Sequence, residues 1–115
     1  MPNTIKESDW KIFSKLLPEA LGRLYQRYLK EIEAVAADDS KTYFDRFEEI
    51  SQLTRNRRKE VFIGFDRFSR SRALSQLGYL KALGLITEEE FQRFSPETRE
   101  LIRFIHREDD LTQDD

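Results

Sequence analysis

The spacing of apolar residues along the chain favours helices throughout. Apolar side chains recur at steps of three or four residues, which places them on one stripe of a helix. No alternation of apolar and polar residues typical of strands persists beyond a few positions, and strong helix formers dominate. The clearest stripe comprises Leu17, Leu21, Leu24, Tyr28, Ile32 and Val35.

Two helices are predicted before residue 38. Thr4 and Glu7 have the spacing of a capping box, in which each residue satisfies a backbone N–H near the other, so we expect a short helix from there to about Leu17. Pro18 fits the first turn of a second helix, because its missing N–H would have no partner there. This second helix is predicted to end near Ala37.

A third helix is predicted after the break at Asp38-Asp39-Ser40, which supplies N-capping residues. Its apolar stripe would comprise Phe44, Phe47, Ile50 and Leu53. The polar stretch Thr54–Glu60 could be a loop or the exposed part of one long helix over about 41–83. No proline or glycine interrupts this stretch, which favours a continuous helix.

The segment Val61–Leu83 carries apolar residues on more than one face, a pattern typical of a helix surrounded by others. We therefore predict a single all-α domain, a bundle of about five helices with one long central helix.

The ends of the last helices carry clear signals. Gly84 is predicted to be the C′ residue of the central helix, since a left-handed conformation costs glycine nothing. Thr87 and Glu90 form a second capping box, which opens a short helix. Ser95 and Pro96 give a cap followed by proline, the start of a final helix through about Arg107.

Composition excludes several classes of chemistry. The 115 residues include no cysteine, which removes disulfides, zinc–thiolate sites and cysteine nucleophiles. The four glycines are isolated, so no phosphate-binding loop can be assigned. A single histidine, His106, leaves little for a catalytic triad or a histidine-rich metal site. We predict no enzyme activity, no catalytic or metal-binding residue and no cofactor.

Charge is uneven along a chain whose formal net charge is −2. The last eight residues, 108–115 (EDDLTQDD), contain five acidic residues and no basic one. A terminal acidic block of this kind usually stays solvated. We predict a helical domain over residues 1–107 and an acidic, disordered tail over 108–115, with a regulatory or partner-mimicking tail as the alternative.

A basic zone extends from Arg55 to Arg72 and also contains aromatic residues. The favoured interpretation is a solvated helix surface with ion pairs. Arginine beside aromatic side chains would also suit phosphate contact and base stacking, or an acidic protein partner. The residues predicted to contact a partner or a nucleic acid are Arg55, Arg58, Lys59, Arg67 and Arg70.

Aromatic residues are frequent, with nine Phe, four Tyr and one Trp. Phenylalanines at i, i+3 spacing share a helix face, and in so small a domain we expect them to form the core. The alternative is that one set lines a groove for self-association or for a partner. The tyrosines are predicted to be the more exposed anchors, because a buried hydroxyl needs a partner. The paired phenylalanines are Phe44/Phe47, Phe62/Phe65/Phe68 and Phe91/Phe94.

No targeting signal or membrane span is predicted. The N-terminal residues lack the basic region and the apolar core of a signal peptide, and apolar runs such as 61–63 are far shorter than the roughly 20 residues of a span. With no cysteine, the chain is expected in the cytoplasm and without a membrane partner.

Three segments together resemble a family of short, uncharacterised bacterial all-helical proteins. They are Lys6–Lys11 (KESDWK), Leu83–Phe91 (LGLITEEEF) and Arg93–Arg99 (RFSPETR). The resemblance covers most of residues 5–100. It implies a helical fold and a bacterial, cytoplasmic origin, and it carries no catalytic residue to this chain.

These observations predict a small, non-enzymatic, bacterial protein-binding module of the regulator, adaptor or inhibitor type. The alternative is a nucleic-acid-binding accessory protein that uses the basic helix 55–72. A protein partner is expected, and a homo-oligomer is plausible because so short a bundle often completes its burial by self-association.

Overall fold

A single helix, α1, runs from Glu7 to Ala36 and continues through Pro18. The predicted break at Pro18 is therefore wrong. Leu16, Leu17 and Ala20 are all buried, so the same face of α1 is needed on both sides of the proline. Burial of each large apolar side chain contributes roughly 1.5–3 kcal/mol, which offsets the cost of about 3 kcal/mol for an interior proline. Pro18 itself lies on the exposed face.

The computed structural model of the protein describes residues 5–65 and 69–113, with side chains described for 5–65 and 69–105. Within these ranges the chain forms an all-α domain of five helices and no strand, as predicted. None of the helices in this part of the chain has the length and apolarity needed to cross a membrane. The helices after α1 are α2 (Tyr43–Phe65), α3 (Arg70–Ala82), α4 (Glu88–Phe91) and α5 (Pro96–Gln113).

The helices are divided between two compact units. The first unit comprises Met1–Leu21 and Arg67–Asp115, and the second comprises Gly22–Asp66. The N-terminal part of α1 belongs to the first unit with α3, α4 and α5, while its C-terminal part forms a helical hairpin with α2 in the second unit.

The predicted long central helix is not present, and the longest helix is α1. The stretch Thr54–Glu60 is helical, as the absence of proline and glycine indicated, since α2 continues to Phe65. The helix is interrupted before α3, where Ser69 has extended backbone angles (φ −147°, ψ 157°). The apolar residues of 61–65 and those of 73–80 therefore belong to different units.

The hydrophobic core lies in the first unit. There α3 packs against α5, and Gly78 on α3 lies against Ile102 on α5. All buried apolar side chains in the described part of the chain except Leu24 belong to this unit. They are Ile5, Phe13, Leu16, Leu17, Ala20, Ala73, Leu74, Leu77, Leu80, Leu85, Ile86, Phe91, Phe94 and Ile102.

A buried carboxylate joins the start of α1 to the start of α5. Asp9 is only 1% exposed. Its Oδ1 accepts a hydrogen bond from the backbone N–H of Ser95 (2.8 Å), and its Oδ2 accepts from the hydroxyls of Ser95 (2.6 Å) and Thr98 (2.7 Å). The carboxylate thus lies at the N-terminus of α5, where the helix dipole stabilises negative charge.

The predicted end of α3 and the predicted start of α4 are both confirmed. Gly84 has a positive φ of 71°, and a Schellman motif ends α3 with bonds from Leu85 N to Leu80 O and from Gly84 N to Lys81 O (both 3.0 Å). The capping box of Thr87 and Glu90 is complete.

The final helix begins at Pro96, as predicted, with Ser95 Oγ accepting a long bond of 3.4 Å from the N–H of Thr98. It ends at Gln113 rather than near Arg107, so its bounds include most of the acidic segment. Side chains from residue 106 onward lie outside the described residues, as does Thr4 of the first predicted capping box. The loose, acidic tail over 108–115 stays a prediction.

Replacing the buried carboxylate should destabilise the first unit strongly. In Asp9→Ala, three donors lose their acceptor in the protein interior, and we expect a loss of about 3 kcal/mol in the free energy of unfolding. Urea unfolding followed by fluorescence of Trp10, the single tryptophan, measures it. The control is Glu97→Gln, which removes the exposed ion pair with Lys6 (2.8 Å) and should cost less than about 1 kcal/mol. Equal losses in the two variants would contradict this role of Asp9.

Two glycine-to-alanine substitutions should change stability in opposite directions. Gly84→Ala forces a Cβ into the left-handed region and should cost about 1 kcal/mol. Gly22→Ala lies within α1, where a Cβ meets nothing within 4 Å, and should stabilise by up to about 1 kcal/mol. Thermal unfolding by circular dichroism tests the pair, and shifts of the same sign would refute the assignment.

Candidate protein-docking surface

The turn between α1 and α2 is held by short polar side chains. Asp38 Oδ1 accepts from the N–H (3.0 Å) and the hydroxyl (2.6 Å) of Ser40, and these bonds lower the pKa of the Asp38 carboxyl. The predicted break is therefore confirmed. The capping bond, however, comes from Thr42, whose Oγ1 accepts from the N–H of Asp45 (3.0 Å).

Two basic side chains hold the hairpin at its turn. Arg46 donates from Nε to the carbonyl of Lys41 (3.0 Å) and from a terminal nitrogen to the carbonyl of Ala36 (3.1 Å), the last residue of α1. Lys41 forms an ion pair with Glu49 (2.6 Å), which raises the pKa of the Lys41 ammonium. The end of α1 is thus fixed to the first turns of α2.

Arg57 joins the two helices further along the hairpin. Its guanidinium binds both carboxylate oxygens of Glu31 on α1, from Nε at 3.1 Å and from a terminal nitrogen at 2.6 Å. It also pairs with Glu60 (2.8 Å) and lies 5.5 Å from the centre of the Tyr28 ring. The hydrogen bonds to Glu31 are the main reason why the pKa of Arg57 is raised.

Beside Arg57 lies an open cleft of about 560 Å³, lined entirely by residues of the second unit. Its surface is mostly apolar and open to solvent. Tyr25 and Leu29 on its wall are 48% and 59% exposed. From α1 the cleft is lined by Tyr25, Tyr28, Leu29 and Ile32, and from α2 by Thr54, Arg57, Arg58, Val61, Phe62 and Phe65.

One side of α2 carries a row of residues, here called the outer row, which are exposed except for the half-buried Ser51. The row borders the cleft at Arg58 and Phe62. At about 100° per residue its members fall within an arc of about 80°, opposite Arg46 and Arg57, which contact α1. Phe44, Phe47 and Phe62 are 71%, 69% and 68% exposed. The outer row comprises Phe44, Phe47, Ser51, Arg55, Arg58 and Phe62.

The structure brings together three of the five predicted contact residues. Arg55, Arg58 and Lys59 are exposed on α2, and Arg55 donates to Gln52 (3.0 Å). Arg58 and Lys59 have no ion-pair partner among the described residues. A surface with cations available for a ligand therefore coincides with the exposed phenylalanines.

Of the other two predicted contact residues, Arg70 belongs to the first unit. Arg70 begins α3 in the first unit, where it pairs with Glu7 and lies 5.6 Å from the centre of the Trp10 ring. Arg67 lies outside the described residues. The basic zone 55–72 is thus not one continuous helix.

The expectation that all the phenylalanine pairs form the core is wrong for α2. Phe91 and Phe94 are buried in the first unit, whereas Phe44, Phe47 and Phe62 are largely exposed. None of the 23 residues of α2, all of them described, is buried. The tyrosines are exposed as expected at positions 25, 43 and 79, and Tyr28 is half-buried.

Sequence reasoning did not identify two of the residues that define these features. In the sequence Asp9 is one acidic residue among many. Only its hydrogen bonds from Ser95 and Thr98 in the folded chain distinguish it from the others. Leu29 lies four residues after Tyr25, a spacing that places both on one face of α1 and could have indicated the wall of the cleft.

In the described part of the chain, no group of three or more candidate ligand residues is close enough to hold a metal ion. The side chain of His106 lies outside the described residues. Glu88 lies in the first turn of α4, and its hydrogen bond from Gln92 is the main reason for the lowered pKa of its carboxyl.

In comparisons with known proteins, no family model, no curated protein and no solved structure matches the chain.

The Arg57–Glu31 contact should couple the two helices of the hairpin. A double-mutant cycle with Arg57→Ala and Glu31→Ala should give a coupling energy of up to about 1 kcal/mol, because both side chains are partly exposed. Urea unfolding by circular dichroism measures it at low salt and at high salt, where screening should reduce it. Additive single-variant effects at both salt concentrations would contradict a coupling contact.

Proposed function

We propose that this chain is a non-enzymatic protein-binding module that docks its partner on the second unit. The observation that carries the proposal is the open, mostly apolar cleft between α1 and α2, in which Leu29 and Phe62 are 59% and 68% exposed. Exposed aromatic side chains that are contiguous with arginine are the usual anchors of protein interfaces. The proposed class of function is that of a small bacterial regulator, adaptor or inhibitor.

The chemistry of the cleft indicates what kind of segment it would accept. Apolar side chains of the partner would enter between Leu29 and Phe62, where they would displace water from an apolar surface. Carboxylates of the partner would pair with Arg58 at the wall of the cleft. We therefore infer a partner segment that combines apolar and acidic side chains, such as one face of an amphipathic helix.

Charge balance favours a protein over a nucleic acid as this partner. The basic and acidic residues of Gly22–Asp66 are equal in number, whereas a nucleic-acid domain usually carries a clear positive excess. Arg57, which lies near the centre of the cationic stretch of α2, is already paired with Glu31 and Glu60. Nucleic-acid binding through Arg55, Arg58 and Lys59 of α2 is one of the outcomes that the experiment distinguishes.

The experiment compares capture by variants of the tagged protein in a nuclease-treated bacterial lysate. Leu29→Ala and Arg58→Glu should each reduce the captured partner at least tenfold, since each removes an anchor of the cleft. Tyr79→Ala is the matched control, because Tyr79 is a similarly exposed aromatic residue on α3 in the first unit. Quantitative mass spectrometry of the captured proteins, followed by titration of the purified partner, gives the readout.

Two outcomes would overturn the proposal. The first is a set of captured proteins that does not change in Leu29→Ala and Arg58→Glu. The second is capture of nucleic acid alone, with proteins lost on nuclease treatment and with an affinity that falls steeply as salt increases.

A further inference from the structure

We infer that the outer row of α2 binds the outer row of a second copy of this chain, with the two α2 helices antiparallel. The inference deepens the proposed function and rests on it, because both treat the exposed side of the second unit as a docking surface. It adds the identity of one partner and the register of the contact. The argument rests on how aromatic and charged residues are distributed along the row.

The aromatic residues of the outer row lie near its two ends. Phe44 and Phe62 are 18 positions apart, about 27 Å along the helix, and both point in the same direction on the helical wheel. In an antiparallel pair centred on Leu53, Phe44 of each copy lies opposite Phe62 of the other. Two exposed aromatic contacts would then be buried at the two ends of one symmetric interface.

One flank of the row offers complementary charges in the same register. Glu48 and Lys59 lie on the same side of the row, within about 20° of each other on the wheel. A two-fold axis at the level of Leu53 along α2 brings Glu48 of each copy beside Lys59 of the other. Both side chains are exposed, and neither has an ion-pair partner among the described residues.

The opposite flank offers a cation and an aromatic ring. Phe47 and Arg58 both lie on this side, again within about 20° of each other. The antiparallel register places Arg58 of one copy next to Phe47 of the other, at a site where the guanidinium can stack on the ring. Arg46 and Tyr43 already form such a contact within the chain, at 4.9 Å from the ring centre.

At the centre of the outer row, the side chains allow the two α2 helices to approach closely. Ser51 is small, and in this register it lies opposite Arg55 of the second copy, whose long side chain can pass over it. A parallel pair would instead place Arg55, Arg58 and Lys59 against their own copies. Repulsion between these like charges selects the antiparallel arrangement.

The surface area that the contact buries determines the expected affinity of the dimer. A single pair of helices buries less surface than a standard protein interface, so we expect a dimer that dissociates in the micromolar range. Sedimentation analysis of the full chain from about 1 µM to about 500 µM should show a reversible monomer–dimer equilibrium. A chain that stays monomeric throughout this range overturns the inference.

Charge reversal tests the register. Glu48→Lys and Lys59→Glu alone should each weaken the dimer at least tenfold, since each places like charges together twice in the symmetric interface. The double variant Glu48→Lys/Lys59→Glu should restore it to within about threefold of the original affinity. Glu33→Lys, an exposed reversal on α1, is the control and should leave the dimer unchanged. A double variant no better than the singles refutes the antiparallel register.

Cross-linking tests the orientation independently, because the natural chain has no cysteine. Under mild oxidation, a mixture of Ser51→Cys and Arg55→Cys should form mostly mixed disulfides, since positions 51 and 55 face each other across the two-fold axis. Circular dichroism of each variant confirms that the helices are intact. Each variant cross-linking mainly to itself would indicate a parallel pair and overturn the inference.

The dimer and the proposed function can each be refuted independently of the other. Phe44 belongs to the outer row and does not line the cleft, whereas Leu29 lines the cleft and lies on α1. Phe44→Ala should weaken the dimer at least tenfold and Leu29→Ala should not. If Leu29→Ala loses the captured partner while the original chain is monomeric, the dimer is refuted and the proposed function stands.

Discussion

The buried carboxylate of Asp9 is the contact on which the first unit depends. It accepts three hydrogen bonds from Ser95 and Thr98, and so it ties the first turn of α1 to the first turn of α5. An acidic group this deeply buried is tolerated because its oxygens are satisfied and because it lies at a helix N-terminus. With both helix starts fixed, the apolar faces of α1, α3 and α5 share one core.

The second unit is stabilised in another way. Polar contacts lie along the line where α1 and α2 meet: the clamp of Arg57 on Glu31, the cap of Arg46 on the end of α1 and the pair of Lys41 with Glu49. These contacts occupy the inner side of α2 and leave its outer side uncovered. Large apolar side chains are exposed to water on this outer side. Their burial against another protein would remove apolar surface from water and so would be favourable.

Helix termini were predictable because their causes are local. The left-handed Gly84, the reciprocal bonds of Thr87 with Glu90 and the start at Pro96 each need only four or five consecutive residues. Pro18 shows the limit of the same reasoning. Its local preference for a helix start was overridden because the buried face of α1 extends on both sides of it.

The sequence by itself determined the all-α class and the positions of most caps, since propensity, spacing and capping act over a few residues. It favoured, without deciding, the helical continuity through Thr54–Glu60. Only the tertiary structure decided which aromatic faces are buried. Phe91/Phe94 and Phe44/Phe47 have the same spacing, yet the first pair is buried in the core and the second is exposed. Spacing places side chains on a common helix face, but burial depends on what other elements cover that face. The same reason explains why Asp9 could not be distinguished from its acidic neighbours before Ser95 and Thr98 were placed beside it.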